Sequence, residues 1–306
     1  MTTLVFGHKS PDTDATLSAI IWAWYLTNLQ GVDAKAVLLG EPNTEATFVL
    51  QHWGFAKPEI IADVSATDHV VIVDTNNPAE LPPSINEATI MAIIDHHMLV
   101  GGLKSKTPIN VVLRPLACTA TVMHDIIGAD MAKLPREIKG AMLSCILSDT
   151  LEFRSPTTTA HDQAVAEALA ADLGVAIPDL AAAMFAAKSD VSAFSDAELL
   201  RMDSKEYTVA GKELRISVLE TTAPAVVLNR KADLMAAMVG VAAADGADQV
   251  LLFVIDILRE EATLLVPNDL VRQMAEASFG VKVSGDTVVL PGVMSRKKQI
   301  IPSLKL

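Results

Sequence analysis

Short β-branched runs alternate with longer amphipathic stretches through the first half of the chain. Apolar runs at 4–6, 36–39, 70–73 and 90–94 predict strands, and the segments 15–30 and 44–52 carry apolar positions at helical spacing. That alternation predicts a parallel sheet, because returning to a parallel strand takes a helical crossover. From Thr119 onward the period is helical, through 119–127, 135–147, 160–173 and 177–187, with Gly174 as a stop. The periodicity fades over Lys188-Ser189-Asp190-Val191-Ser192-Ala193. Strands resume at 207–209, 214–219, 250–255 and 262–266, with helices at 232–244 and 269–277. The expected fold class is α/β: a parallel-sheet domain over 1–187, a linker over 188–193, and a smaller mixed α/β domain over 194–306, with a cleft between the two.

Composition narrows the function. With 306 residues, 51% of them apolar, each domain can form a core without disulfide or metal support. Lys and Arg number 24 against 37 Asp and Glu, and the net charge of −13 argues against broad nucleic-acid or anionic-membrane binding. An anionic ligand therefore needs a local cationic pocket. Cys118 and Cys145 lie far apart in apolar segments, without the spacing of a zinc site or a disulfide framework, which fits a reducing cytoplasm. The start, Met1-Thr2-Thr3-Leu4-Val5-Phe6-Gly7, is not that of a signal peptide, and no later run approaches the ~18 apolar residues of a membrane span. A soluble, non-secreted chain is expected.

Chemistry-bearing residues gather at predicted strand ends. The first strand runs into Gly7-His8-Lys9-Ser10-Pro11-Asp12-Thr13-Asp14, the strand 70–73 ends in Asp74, and the strand 90–94 ends in Asp95-His96-His97. In an open parallel sheet these ends share one edge, where ligands bind. A fourth acid, Asp149, follows the apolar helix that ends at Ser148. Taken singly, each has an ordinary reading: Asp12 or Asp14 as a helix N-cap, Asp74 as a strand end, the His-His pair as exposed loop. Together the carboxylates repel and raise one another's pKa unless cations neutralise them. Imidazole and carboxylate suit a borderline-hard ion such as Mn²⁺, and the number of donors exceeds one ion's needs, so a pair of metals is expected. Asp95 reads as an acceptor that orients a neighbouring imidazole. His52, His69, His124 and His161 lack such company and read as surface or helix-packing residues.

The cationic counterpart lies in the second domain, at Lys205 and in Ser295-Arg296-Lys297-Lys298-Gln299. A solvated loop is the ordinary role of such a run. Across a cleft from metals, Arg296, Lys297 and Lys205 would instead hold a compact polyanion, since guanidinium matches phosphate oxygens and Lys brings a mobile point charge. That combination reads as phosphoryl transfer to water.

The strand-end motifs, Ser148-Asp149-Thr150, the Lys205 segment and Ser295-Arg296-Lys297-Lys298-Gln299 resemble, over the whole length, the family II inorganic pyrophosphatases of the DHH phosphoesterase superfamily. The resemblance implies hydrolysis of inorganic pyrophosphate to two phosphates by a metal-bridged hydroxide. It implies two Mn²⁺ or Co²⁺ ions per subunit, Mg²⁺ carried by the substrate, and a homodimer through the first domain. His8, Asp12 and Asp74 would hold one metal, and Asp14, Asp74, His96 and Asp149 the other, with Asp74 bridging. His97 would face the substrate and donate a proton to the leaving phosphate, while Lys205, Arg296 and Lys297 bind phosphate. The segment Asp74-Thr75-Asn76-Asn77 departs from the family, whose members often carry histidine after the bridging aspartate. The first domain leaves no room for a regulatory nucleotide-binding insert, so no adenine-nucleotide regulation is expected. Two other readings stay open. One is a DHH-type exopolyphosphatase or oligonucleotide phosphodiesterase, although no glycine-rich Gly-Gly-Gly-His motif follows Lys188. The other is a metal-binding module without activity, which would not need Lys205 and Arg296-Lys297.

Overall fold

A computed structural model describes residues 2–305 of the chain. The chain divides into two compact units, Met1–Lys188 and Ser189–Leu306.

In the first unit, six strands form one parallel sheet: β1 (Thr3–Phe6), β2 (Ala34–Leu38), β3 (Glu59–Ile60), β4 (His69–Val73), β5 (Thr89–Asp95) and β6 (Asn110–Leu113). Their spatial order is β3-β2-β1-β4-β5-β6. The order reverses direction between β1 and β4, so the loops leaving these two neighbours part company and open a crevice at their carboxyl ends. β1 and β4 are central and almost wholly buried; Val5, Phe6, Ile72 and Val73 have no exposed surface. The crossover helices are α1 (Thr13–Leu29) and α2 (Thr44–His52), and α3 (Thr119–Ile127), α4 (Arg136–Asp149), α5 (Ala160–Leu173) and α6 (Ile177–Lys188) follow the last strand. α4 packs against α1, α3, α5 and α6. Burial on every side explains why its sequence 138–148 is apolar or small almost throughout.

The second unit contains α7 (Asp196–Met202), β7 (Ser204–Val209), β8 (Lys212–Thr221), α8 (Pro224–Leu228), α9 (Lys231–Asp245), β9 (Gln249–Asp256), β10 (Glu261–Leu265), α10 (Asp269–Phe279) and β11 (Thr287–Pro291). The sheet order is β11-β10-β9-β8-β7, with β8 and β9 parallel and the other pairs antiparallel. β9 is buried along its whole length because both faces are covered. Leu251, Phe253 and Ile255 pack with Val271 and Met274 of α10, while Val250, Leu252 and Val254 pack with Leu234, Met238 and Val241 of α9. A strand buried on both faces reads as one continuous apolar run rather than an alternation.

The expected α/β architecture, parallel in the first unit and mixed in the second, is present. Several elements differ from the sequence reading, among them the short helices α7 and α8, which it did not include. β3, β6 and β11 were not expected: each is a short sheet edge with residues turned to solvent, as at Val111 and Val289. The stretch Arg296–Ile300, expected as a loop, is a π-helical turn. Gly174 ends α5 in the left-handed conformation, at φ 63°, as its position implies.

Candidate metal centre

The loop after β1 is set by a close approach. A Cβ on Gly7 would lie 2.7 Å from the Cβ of Ala15, so only glycine lets the first turn of α1 fold back over this strand end. Asp12 then caps α1: its Oδ1 accepts from the backbone N–H of Ala15 at 3.0 Å. Capping and a place in the centre prove compatible, since Oδ2 stays free and lies 3.7 Å from His8 Nε2. Asp14, in the first turn of α1, is fully buried; its Oδ1 accepts from the Ser18 hydroxyl at 2.7 Å and its Oδ2 from the N–H of Thr119 at 2.7 Å.

Asp74 stands at the middle. It leaves β4 with a left-handed φ of 56°, a strained conformation for a non-glycine residue and of a kind that gathers at functional sites. Its Oδ1 accepts from the Thr119 hydroxyl at 3.1 Å and lies 3.4 Å from His96 Nε2, while Oδ2 lies 3.5 Å from His8 Nε2. His96 Nδ1 sits 3.1 Å from the Leu116 carbonyl, which fixes the ring with Nε2 turned inward. Asp149, the last residue of α4, has its donor oxygen within 4.8 Å of those of Asp14 and His96. The groups His8–Asp12–Asp74 and Asp14–His96–Asp149 therefore each bring three donor atoms within reach of one ion.

His97 faces a different partner. Asp95, wholly buried at the end of β5, accepts from His97 Nδ1 at 2.8 Å and from the backbone N–H of His96 and His97, and takes a fourth bond from the Asn76 amide at 2.6 Å. A small cavity of about 160 Å³ opens onto Asp12, Asp74, His96, His97 and Asp149.

The charges are unbalanced without cations. Burial drives the Asp14 carboxyl up to about 6, with the Asp74 charge adding to it, and burial with Asp14 beside it pushes Asp149 well above the carboxylate range. Asp74 is held below that range although burial opposes it, because His8 and His96 flank it. Burial works against charge on the two imidazoles, yet Asp12 and Asp74 raise His8 to about 10, and Asp74 and Asp14 raise His96 to about 9. Asp74 Oδ2 and Asp149 Oδ2 are buried with no hydrogen-bond partner. Buried carboxylate oxygens without donors are costly unless a cation meets them. The donor set thus fits divalent ions of the imidazole-and-carboxylate type.

In the second unit, Lys205, Arg296 and Lys297 line one pocket of about 470 Å³. Arg296 is anchored through the Asp203 carbonyl at 2.8 Å and the Asp203 carboxylate at 2.7 Å. Among the described residues neither Lys205 nor Lys297 is ion-paired. Ser295 and Gln299 hold the turn: the Gln299 side-chain carbonyl accepts from the N–H groups of Met294 and Ser295 at 2.8 and 2.9 Å.

Residues that sequence reasoning passed over include Thr119, which bonds both Asp14 and Asp74, and Glu45, buried and accepting from Thr13 and Ser148. Their only signal was polarity inside otherwise apolar helix starts. Thr75, which follows the central aspartate, donates to Glu80 at 2.7 Å, and it is Asn76 that reaches Asp95. His124 and His161, expected to be isolated, meet at Asp125, because α3 and α5 bring together residues far apart in the chain.

Crevice, carboxylates and strand order together define an α/β protein with a candidate divalent-metal centre at the carboxyl ends of β1, β4 and β5. Residues 2–148 match the DHH family N-terminal domain and residues 182–306 the DHHA2 domain. Proteins of Deinococcus radiodurans and Lactiplantibacillus plantarum, each named a probable manganese-dependent inorganic pyrophosphatase, are 40% and 36% identical to the chain, covering 98% of it and 97% of themselves. A solved structure from Methanococcus jannaschii, titled "putative family II inorganic pyrophosphatase", superposes with a TM-score of 0.61 at 32% identity, covering 98% of this chain and 97% of that one. An exopolyphosphatase-related protein of Bacteroides fragilis, at 12% identity and a TM-score of 0.52, shares the fold alone. The chain belongs to the family II, manganese-dependent inorganic pyrophosphatases.

Proposed function

We propose that the chain hydrolyses inorganic pyrophosphate to two phosphates at a dinuclear Mn²⁺ or Co²⁺ centre, with Mg²⁺ accompanying the substrate. The observation that carries this reading is the set of buried, undonated carboxylate oxygens at the end of β4 and α4, ringed by imidazoles. His8, Asp12 and Asp74 would hold one ion, and Asp14, Asp74, His96 and Asp149 the other. Such ions, when bound, activate water and offset phosphate charge.

The chain's own residues supply the rest. His97 donates through Nδ1 to Asp95, which leaves its other nitrogen free, and that bond keeps the imidazole raised above its ordinary range although partial burial opposes it. A protonated imidazole there hands its proton to the departing phosphate oxygen as the P–O–P bond breaks. Asp95 keeps the ring oriented. Lys205, Arg296 and Lys297 take the phosphate oxygens, which explains why cations concentrate there in a chain of net charge −13.

The outer edge of β6, which has no neighbouring strand among the described residues, with Val111 half exposed, supports a homodimer through the first unit. Two buried free cysteines support a cytoplasmic setting. Among the described residues no single helix is long and apolar enough to cross a membrane.

Two substitutions divide the labour. Asp74→Asn should lower bound Mn²⁺ at both positions, whereas Lys297→Ala should keep the metal and raise KM for pyrophosphate. Equal metal loss in both would contradict the assignment.

A further inference from the structure

Away from this centre, the described residues contain one other group of metal-ligating side chains. His124 and Asp125 lie in the last turns of α3 and His161 in the first turn of α5. His161 Nε2 is 2.7 Å and His124 Nδ1 3.5 Å from the same oxygen, Asp125 Oδ1, and the three donor atoms lie within 4.8 Å of one another. Ligand atoms around a tetrahedral Zn²⁺ at bond lengths near 2 Å stand roughly 3.3 Å apart. Small side-chain shifts would therefore seat an ion.

Two features separate this trio from an ordinary His–Asp pair. His124 Nδ1 is buried and lacks a hydrogen-bond partner of good geometry, which a ring nitrogen in that position normally finds. Arg114 donates to the other oxygen, Asp125 Oδ2, at 2.6 Å, so that Oδ1 is the atom presented to both imidazoles. An outer partner of this kind orients a ligating carboxylate. The guanidinium offsets the carboxylate's charge, which leaves the imidazoles to contribute most of the affinity.

We propose that His124, Asp125 and His161 form a separate site for one borderline divalent transition ion, Zn²⁺ in preference to Mn²⁺ or Mg²⁺, pinning the end of α3 to the start of α5. Two imidazoles and a single carboxylate place Zn²⁺ above Mn²⁺ in affinity, and Mg²⁺ prefers an oxygen shell. His161 is half exposed, so water completes the coordination. Both pinned helices lead to the first centre: α3 begins at Thr119, and Asp162, next to His161, accepts from the N–H of Ala117 at 3.1 Å. Occupancy would stiffen the backbone beneath Asp14 and Asp74. The proposal does not depend on the substrate assigned above.

Mn²⁺-loaded protein dialysed against Zn²⁺, with bound metal measured by mass spectrometry, tests it. Wild type should hold one more equivalent of Zn²⁺ than His161→Gln or His124→Gln, with that equivalent weakened at least ~10-fold in either variant. Zn²⁺ should raise the thermal midpoint of wild type more than that of His161→Gln, while Mn²⁺-supported hydrolysis without Zn²⁺ stays the same in both. His161→Gln changes an exposed side chain and leaves the packing intact. Equal Zn²⁺ stoichiometry in wild type and both variants, including simple replacement of Mn²⁺ in the first centre, would overturn the proposal.

Discussion

Loading metal into the apoprotein should expel protons, and the structure fixes roughly how many. With His8 raised to about 10 and His96 to about 9, both imidazoles are protonated at pH 7.5, whereas an imidazole at its ordinary value would be neutral there. A metal-ligating imidazole must be neutral, so two protons leave from these rings. Deprotonation against such values costs about 1.36 kcal/mol per pH unit, hence about 3 kcal/mol for His8 and about 2 kcal/mol for His96 at pH 7.5. The sign follows: raising the pH removes that cost, and Mn²⁺ affinity should climb by about two powers of ten per pH unit between 7 and 8.5. Titration calorimetry of Mn²⁺ into chelator-treated protein, in buffers of different ionisation enthalpy, reads the proton count as the slope of observed heat against buffer enthalpy. A slope of about two or more is expected. A slope below one would mean that the imidazoles are already neutral in the apoprotein and would refute the charge balance assigned to Asp12, Asp14 and Asp74.

Two further substitutions probe single contacts. His97→Gln keeps a side chain of similar reach but cannot donate a proton to a leaving phosphate, so kcat should fall about 10²- to 10⁴-fold with Mn²⁺ content unchanged; metal loss instead would make His97 a ligand. Thr119→Val removes the hydroxyl that donates to Asp74 at 3.1 Å while keeping the backbone N–H to Asp14. A hydrogen bond to a charged group contributes about 1.5–3 kcal/mol, so the apoprotein should lose stability on that scale in urea unfolding. No change there would show that Asp74 does not need the bond.

Much of the first centre was legible because its residues end strands whose apolar runs are plain in the sequence. His8, Asp12, Asp14, Asp74 and His96 converge as a parallel sheet requires, and the reversal of strand order at β1 and β4 explains why they meet there. Asp149 was harder to place, since it ends a helix rather than a strand and enters the centre only through the packing of α4 against α1. Thr119 was missed because a threonine that starts a helix has an ordinary local role, and its two bonds to Asp14 and Asp74 span 105 and 45 residues. His124 and His161 were read as isolated for the same reason: periodicity describes each helix by itself and is silent about which helix ends touch. The edge strands escaped because each is only two to five residues long, too short for a periodicity to stand out from the loops beside it.

Phosphate release from pyrophosphate by chelator-treated protein reloaded with Mn²⁺, Co²⁺, Zn²⁺ or Mg²⁺ tests the central claim most directly, with ATP, tripolyphosphate and a dinucleotide alongside. Fast hydrolysis selective for pyrophosphate, highest with Mn²⁺ or Co²⁺, is the expected result. Activity confined to the dinucleotide or to longer phosphate chains, or none at all with metal stoichiometrically bound, would contradict it.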